Sequence, residues 1–163
     1  MADTARGAVS MTPVVTVAAD SDSDSVDVIH HDIKQTLGGK LEYAKANDND
    51  KWFYSTSKDV STDADLISGI YTDAGTVATG DHVRFLYLEH SGTSDGSTAS
   101  TADLLITLDG GNPVTVADVI EIGSGESIIL KFKDGLDVAS LHACSDNGST
   151  IRCTVAAIID DIA

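Results

Sequence analysis

HVRFLYLEH, residues His82–His90, is the stretch that decides the fold class. Successive side chains of a β-strand point to opposite faces. One face of this stretch would carry Val83, Phe85 and Tyr87, and the other Arg84, Leu86, Leu88 and His90. Both faces contain apolar residues, which is typical of a strand covered on both sides. The pattern therefore predicts a central strand of a layered β protein.

Comparable apolar runs recur along the chain, separated by Gly, Ser, Thr, Asp and Asn. They are Ala102–Leu108 (ADLLITL), Glu126–Phe132 (ESIILKF) and Ser149–Ile159 (STIRCTVAAII). Helical periodicity is weak throughout, and only Thr62–Ser68 and Val116–Ile120 could form a single helical turn. Strands spaced by about ten residues favour a sandwich over a closed barrel. The sequence therefore predicts an all-β protein, a jelly-roll-like antiparallel β-sandwich.

Strands are also predicted on either side of this region. Lys51–Ser55 is predicted to pair with Lys40–Ala46 across the NDND turn, with Trp52 and Tyr54 on one face and Phe53 on the other. Weaker strand candidates are Asp65–Tyr71, Val114–Ile122 and Val138–Ala143.

The chain of 163 residues has the length of one domain. Residues 1–13 are small and polar and end at Pro13, so we expect an N-terminal arm, followed by a single β-sandwich domain over residues 14–163. The apolar stretches are much shorter than a membrane span. The first residues lack the apolar core of a secretory signal, so we expect synthesis in a cytosol.

The formal net charge of −16 bears on the choice of partner. Nucleic acids and anionic membranes carry the same sign of charge and would be repelled, so neither is expected as a partner. A strong single-sign charge also favours solubility at high copy number.

The two cysteines flank the segment CSDNGSTIRC, Cys144–Cys153. A type I′ turn at Asn147-Gly148 would place Cys153 opposite His142. A type II′ turn at Gly148-Ser149 would place Cys144 opposite Cys153 with Cα atoms about 4.5 Å apart, within disulfide range. The first turn is the commoner one, which favours two semi-buried thiols, and the disulfide stays open. Two thiols without a Cys-x-x-Cys spacing do not make a zinc site.

The acidic run Asp20, Asp22 and Asp24 has the alternating oxygen ligands that begin a calcium loop. An EF-hand also needs Gly at the sixth position and Glu at the twelfth, where this chain has Ser25 and His31. The run is therefore interpreted as a solvated acidic turn, and no metal site is predicted.

The histidines do not form a recognisable catalytic arrangement. His30 and His31 are adjacent and would point to opposite faces of a strand, while His82 and His90 bracket one strand at a long distance. No nucleophile with a neighbouring base is apparent. We expect no catalytic residues and no cofactor.

The segment from His82 onward resembles a known family. The residues that carry the resemblance are a strand ending in FLYLEHSGTSDG, the hairpin LLITLDGG, the pair IEIGSGESIILKF and the closing DVASLHACSDNGSTIRCTVAAI. They cover roughly the C-terminal half of the chain. Together they are similar to the decoration (cement) proteins and minor structural proteins of tailed-bacteriophage virions, especially marine ones.

The resemblance implies a structural protein on the outer surface of an assembled capsid, bound to the major capsid protein, often as a homotrimer. Such a protein would be made in the host cytoplasm and would reinforce joints between capsid subunits. The arm offers the candidate contacts, which are Thr4, Arg6, Val9, Met11 and Pro13. Simultaneous contact with several subunits would raise the apparent affinity without any one strong contact.

Three other functions compete with this one. A carbohydrate-binding or adhesion module would require an exposed aromatic platform, with Trp52, Tyr54, Tyr71 and Tyr87 sharing a face away from the core. A small hydrolase would require carboxylates that converge in a cleft, and no spacing in the sequence suggests such a pair. A tail or fibre protein of a virion would give nearly the same sequence pattern.

Overall fold

The described part of the chain is an antiparallel β protein of two sheets. The computed structural model describes residues 50–72 and 75–162, which lie in a unit spanning Asn47–Ala163. The strands are β1 (Asp50–Val60), β2 (Ala64–Asp65), β3 (His82–His90), β4 (Leu104–Thr107), β5 (Ile120–Ile122), β6 (Ser127–Asp137), β7 (His142–Ser145) and β8 (Ile151–Asp160). The predicted all-β fold is confirmed. The predicted arm, and the predicted domain up to residue 49, lie outside the described residues.

The order of the strands follows from nested antiparallel pairing. One sheet has the order β1-β8-β3-β6 and the other β2-β7-β4-β5. Four of the antiparallel pairs are nested, because β1 pairs with β8, β2 with β7, β3 with β6 and β4 with β5. The remaining pairs, β3 with β8 and β4 with β7, join these nested pairs side by side into two sheets. The predicted central position of the HVRFLYLEH strand, β3, is confirmed.

The core contains side chains from both sheets. Leu86 and Val155 of the first sheet and Leu104 and Ile106 of the second are fully buried in one apolar cluster. Each fully buried aliphatic side chain contributes about 1.5–3 kcal/mol through the hydrophobic effect. In β8 the alternation is regular, and the core members are Ile151, Cys153, Val155, Ala157 and Ile159. Phe53 of β1 is buried in the cluster while Tyr54 is exposed, so the two side chains lie on opposite faces, as predicted.

A β-bulge corrects the face assignment predicted for β3. The register with both neighbouring strands shifts between Val83 and Phe85. One extra residue at a bulge reverses the alternation. Val83 therefore belongs to the core cluster with Leu86 and Leu88, whereas Phe85 is buried outside that cluster. The predicted set of Val83, Phe85 and Tyr87 is divided between the two faces.

Several shorter predictions are also corrected. The predicted hairpin around Asn147-Gly148 does not form, because β7 and β8 belong to different sheets. Of Val114–Ile122 only Ile120–Ile122 is a strand, and of Asp65–Tyr71 only the first residue. Among the described residues, the helical turn occurs at Val138–Ser140 rather than at either predicted position.

Four connections meet at one end of the sandwich, which we call the loop end: residues 61–63, 91–103, 123–126 and 146–150. Backbone hydrogen bonds join them in pairs. The amide of Asp146 donates to the carbonyl of Asp103 (3.0 Å), and the amide of Ser145 donates to that of Ser61 (3.1 Å). The amide of Gly125 donates to the carbonyl of His90 (3.1 Å). The odd-numbered strands all end here, as the nested antiparallel pairing requires.

Candidate functional site

A polar cleft opens at the loop end between the β3–β4 and β7–β8 connections. Its volume is about 680 Å³, within the range of about 300–1,000 Å³ typical of small-molecule sites. Its polar lining comes from Ser94, Asp95, Ser100, Thr101, Asn147, Ser149 and Thr150. Nearly fifty residues of sequence separate its two walls, so no local motif encloses it. The sequence signal for the cleft was that both connections are rich in Ser, Thr, Asp and Gly. The hairpin predicted around Asn147-Gly148 gave no reason to expect these connections to lie close together.

Asp95 holds the tip of the β3–β4 connection in shape. Its Oδ1 accepts hydrogen bonds from the amides of Thr98 (2.7 Å) and Ser97 (2.8 Å) and from the Ser97 hydroxyl (2.9 Å). Its Oδ2 accepts from the Thr98 hydroxyl (2.9 Å). These donors, first among them the Thr98 amide, hold the pKa of Asp95 well below its usual value. The carboxylate therefore acts as a structural acceptor inside its own turn.

His90 ties together the two ends of the same connection. The ring is fully buried; its Nε2 lies 2.9 Å from the carbonyl oxygen of Ala102, and its Nδ1 accepts a hydrogen bond from the amide of Gly92 (2.9 Å). Because a carbonyl can only accept, Nε2 carries the proton and the ring is neutral. His90 is thus a structural residue at the base of the cleft wall.

Arg152 of β8 braces the connection from the side. Its Nε and Nη2 donate to the two carboxylate oxygens of Asp59 (2.9 and 3.2 Å), and its Nη1 donates to the carbonyl of Asp95. The hydrogen bond to Asp59 is the main cause that raises the pKa of the guanidinium. The fork geometry of arginine suits this two-oxygen contact.

The outer face of the β1-β8-β3-β6 sheet is the second candidate surface. Two cross-strand rows run over it, Trp52–Ile158–Phe85–Lys131 and Tyr54–Ala156–Tyr87–Ile129. Phe85 and Ile158 are buried although they do not belong to the core cluster, while Tyr54 is 54% exposed. The Tyr87 hydroxyl donates to Glu89 (3.0 Å), and burial is the main cause that raises the pKa of this tyrosine. We call this surface the aromatic face.

The four-aromatic platform considered for a glycan-binding module is not assembled. Trp52, Tyr54 and Tyr87 share the aromatic face, but Tyr71 is a core residue with 2% exposure. The Tyr71 hydroxyl donates to the buried carboxylate of Asp81, which also accepts from the amide of Ala78 (2.7 Å). Tyr71 therefore anchors the connection before β3.

His142 lies between two aspartates on the second sheet. Its Nδ1 is 2.8 Å from Asp63 and its Nε2 is 3.4 Å from Asp65. Within residues 50–72 and 75–162, no group of three or more His, Cys, Asp or Glu side chains could hold a metal ion. We therefore interpret the contacts of His142 with Asp63 and Asp65 as stabilising the short pairing of β2 with β7.

The candidate contacts of the arm, Thr4, Arg6, Val9, Met11 and Pro13, lie outside the described residues, as do the Asp20–Asp24 run and the His30-His31 pair. His82 is half-buried and pairs with Asp137 at 2.7 Å.

The two predicted cysteine sites are free thiols in the structure. Cys144 pairs with Leu105 in the second sheet, and Cys153 pairs with His90 in the first. The pairing of Cys144 opposite Cys153, which a type II′ turn at Gly148-Ser149 would have produced, is therefore not formed. Burial, the largest cause, raises the pKa of both thiols, that of Cys153 to about 12.

Comparison of the chain with protein-family models, with curated proteins and with solved structures finds no match. Among the described residues, no helix has the length and apolar character needed to cross a membrane.

Proposed function

We propose that the protein is a virion structural protein that decorates the outer surface of a phage capsid and stabilises it by bridging capsid subunits. The observation that carries this proposal is the aromatic face, where Trp52 and Tyr54 of β1 and Tyr87 of β3 lie on one side of the sheet, with β8 between the two strands. Tryptophan and tyrosine are enriched among the residues that dominate protein–protein binding. The role is structural rather than enzymatic, as the resemblance to decoration proteins implies.

The nested strand pairing supports a jelly-roll topology for this domain. Pairing β1 with β8, β2 with β7, β3 with β6 and β4 with β5 is the result of rolling one long antiparallel hairpin into two sheets. Eight-stranded double-sheet jelly rolls occur in viral capsid domains and in lectins. The topology is therefore compatible with a virion component, and the assignment of function depends on the aromatic face and the sequence resemblance.

The charge suits a position outside a DNA-filled shell. A net charge of −16 disfavours contact with packaged nucleic acid. In the proposed assembly the protein is a homotrimer bound to the major capsid protein, and each copy adds a contact to the same lattice. Multivalent attachment of this kind raises avidity by about 10²–10⁴ over a single contact.

The experiment is co-sedimentation of the purified full chain with capsids that lack it, together with its native mass by light scattering. Saturable binding in a fixed ratio by a stable trimer is expected. A monomer that does not bind capsid would overturn the proposal. Binding to isolated tails or fibres but not to capsids would move the protein to another part of the virion and would also overturn it.

Two variants locate the contact. Tyr54→Ala removes an aromatic ring from the aromatic face, and Val114→Ala removes a side chain of similar exposure (60%) from the β4–β5 connection. Truncation of an interface hot spot costs about 2 kcal/mol or more, or roughly 30-fold in affinity. We expect that loss for Tyr54→Ala alone. Equal affinity of the two variants would exclude the aromatic face as the contact.

A further inference from the structure

The connection between β7 and β8 contains the dipeptide Asn147-Gly148, and both residues are exposed. The side-chain amide of an asparagine can be attacked by the backbone nitrogen of the next residue, and glycine hinders that attack least because it has no Cβ. The attack requires a side-chain carbonyl folded over the following peptide and a backbone amide that is not held by another acceptor. Asn147 meets both conditions.

The side chain of Asn147 is folded over the Gly148 peptide. Its Oδ1 accepts a hydrogen bond from the amide of Ser149 (2.9 Å), which is the geometry of an Asx turn. This turn brings the side-chain carbonyl carbon next to the backbone nitrogen of Gly148, so the two reacting atoms are already neighbours. The Ser149 amide also lies where it can stabilise the negative charge that develops on Oδ1 as the nitrogen attacks.

The amide of Gly148 is available for this attack, whereas the amides of two other glycines in the connections are not. Gly148 donates no hydrogen bond from its amide to any residue in the described part of the chain. Gly96 and Gly110 each follow an Asp, whose carboxyl group can be attacked in the same way. The amide of Gly96, however, donates to the Thr93 hydroxyl (3.0 Å). That of Gly110 donates to the carbonyl of Ser140 (2.9 Å).

We propose that Asn147 is a modification site, at which the folded protein deamidates itself. The Gly148 nitrogen loses its proton to solvent and forms a bond to the side-chain carbonyl carbon of Asn147. The bond from that carbon to the side-chain nitrogen breaks, and ammonia leaves. Water then opens the resulting succinimide at either carbonyl, which gives aspartate or isoaspartate at position 147. The net reaction consumes one water, releases one ammonia, and neither oxidises nor reduces any group.

Deamidation changes the charge and the main chain of the loop end. It adds one negative charge next to Asp146, whose carboxylate accepts a hydrogen bond from the amide of Asp103 (3.0 Å). The isoaspartate form also lengthens the main chain by one carbon atom. Residues 146–150 are all exposed, so this connection can accommodate the change without repacking of the core. The proposal is independent of capsid attachment, because it concerns the loop end and not the aromatic face.

The test is incubation of the folded full chain at pH 8 and 37 °C, followed by tryptic digestion and mass spectrometry. We expect the peptide Asp134–Arg152 to change in mass from an amide to an acid and to separate into aspartyl and isoaspartyl forms. Asn112 is the internal control, because it is exposed and its Oδ1 accepts from the amide of Val114 (3.0 Å) in the same type of turn. The next residue, Pro113, has no N–H, so Asn112 should remain an amide.

Two variants separate the reaction from the surroundings of the site. Gly148→Ala should slow the conversion about tenfold, because the added Cβ crowds the attacking nitrogen. That Cβ would meet no other atom within 4 Å, and thermal unfolding verifies that the variant is folded. Thr150→Ala, an exposed change in the same connection, is the matched control and should convert at the rate of the unmodified chain.

Three outcomes would overturn the proposal. The first is an unchanged Asn147 in the folded chain under conditions in which the free peptide Asp134–Arg152 deamidates, because the fold would then protect the site. The second is equal conversion of Asn147 and Asn112. The third is a Gly148→Ala variant that converts as fast as the unmodified chain.

Discussion

The Nε2 atom of His90 lies 2.9 Å from the carbonyl oxygen of Ala102, and this contact joins the last residue of β3 to a residue just before β4. Both residues are buried. The base of this thirteen-residue connection is thereby held closed by a side chain, and an antiparallel bridge between Thr93 and Ala99 closes it further along. The arrangement explains how a connection rich in Ser, Thr and Gly can form a fixed wall of a cleft.

Replacement of His90 should destabilise the whole sandwich. His90→Ala removes a fully buried ring and leaves the Ala102 carbonyl and the Gly92 amide without their partner, so we expect a loss of about 2–4 kcal/mol in the free energy of unfolding. His82→Ala, which removes a half-exposed pair with Asp137, should cost at most about 1 kcal/mol. Urea unfolding monitored by circular dichroism measures both. Equal losses would show that His90 has no special role.

The Asp95 turn should be sensitive to acid. Hydrogen bonds to the ionised carboxylate lower its pKa below the usual 3.8, so its contribution to stability is present above that pH and is lost as the pH falls through the lowered pKa. NMR titration should find Asp95 still ionised at pH 3.8. Asp95→Asn should speed amide exchange at Ser97 and Thr98 at pH 7, and the difference from the unmodified chain should diminish in strong acid. Asp118→Asn, in another exposed connection, is the control, and an identical effect there would contradict the assignment.

Local patterns predicted the strands but not how they assemble. The bounds of β3 follow directly from HVRFLYLEH, and alternation correctly placed Phe53 and Tyr54 on opposite faces of their strand. The bulge at Val83 and Phe85 was not predictable, because an extra residue in one strand is defined only by its partners. The prediction of which side of the sheet a side chain faces therefore failed at the bulge, because there the pairing with neighbouring strands, and not the two-residue period of the strand, sets the direction of the side chain.

The sequence also did not show which sheet each strand belongs to. The segment between Cys144 and Cys153 has the turn residues of a hairpin, but its flanking strands pair with β4 and β1, far away in sequence. The same error concealed the cleft, whose walls come from connections that only the nested pairing brings to one end.

The two cysteines should be unreactive in the folded protein. The pKa of Cys153 is raised to about 12, so about one molecule in 10,000 carries the thiolate at pH 8, and Cys144 is also buried with a raised pKa. We expect no reaction with Ellman's reagent at pH 8 in the native state and two thiols per chain after denaturation without reductant. A mass two hydrogens lighter, with no thiols on denaturation, would instead establish the Cys144–Cys153 disulfide.

Replacing Gly135 in β6 by a residue with a side chain should destabilise the protein for two reasons, a strained backbone and a steric clash. Gly125 is a control that has only the first. Both Gly135 (φ +84°) and Gly125 (φ +79°) have left-handed backbones, in which an L side chain costs about 1–2 kcal/mol. A Cβ on Gly135 would also lie 2.7 Å from the Cβ of His82, whereas one on Gly125 would meet no atom within 4 Å. Gly125→Ala should therefore lose only the backbone cost, and Gly135→Ala about 1–3 kcal/mol more because β3 and β6 must move apart. Urea unfolding of the two variants measures the difference. Equal losses would mean that the contact between Gly135 and His82 is not a close one in solution.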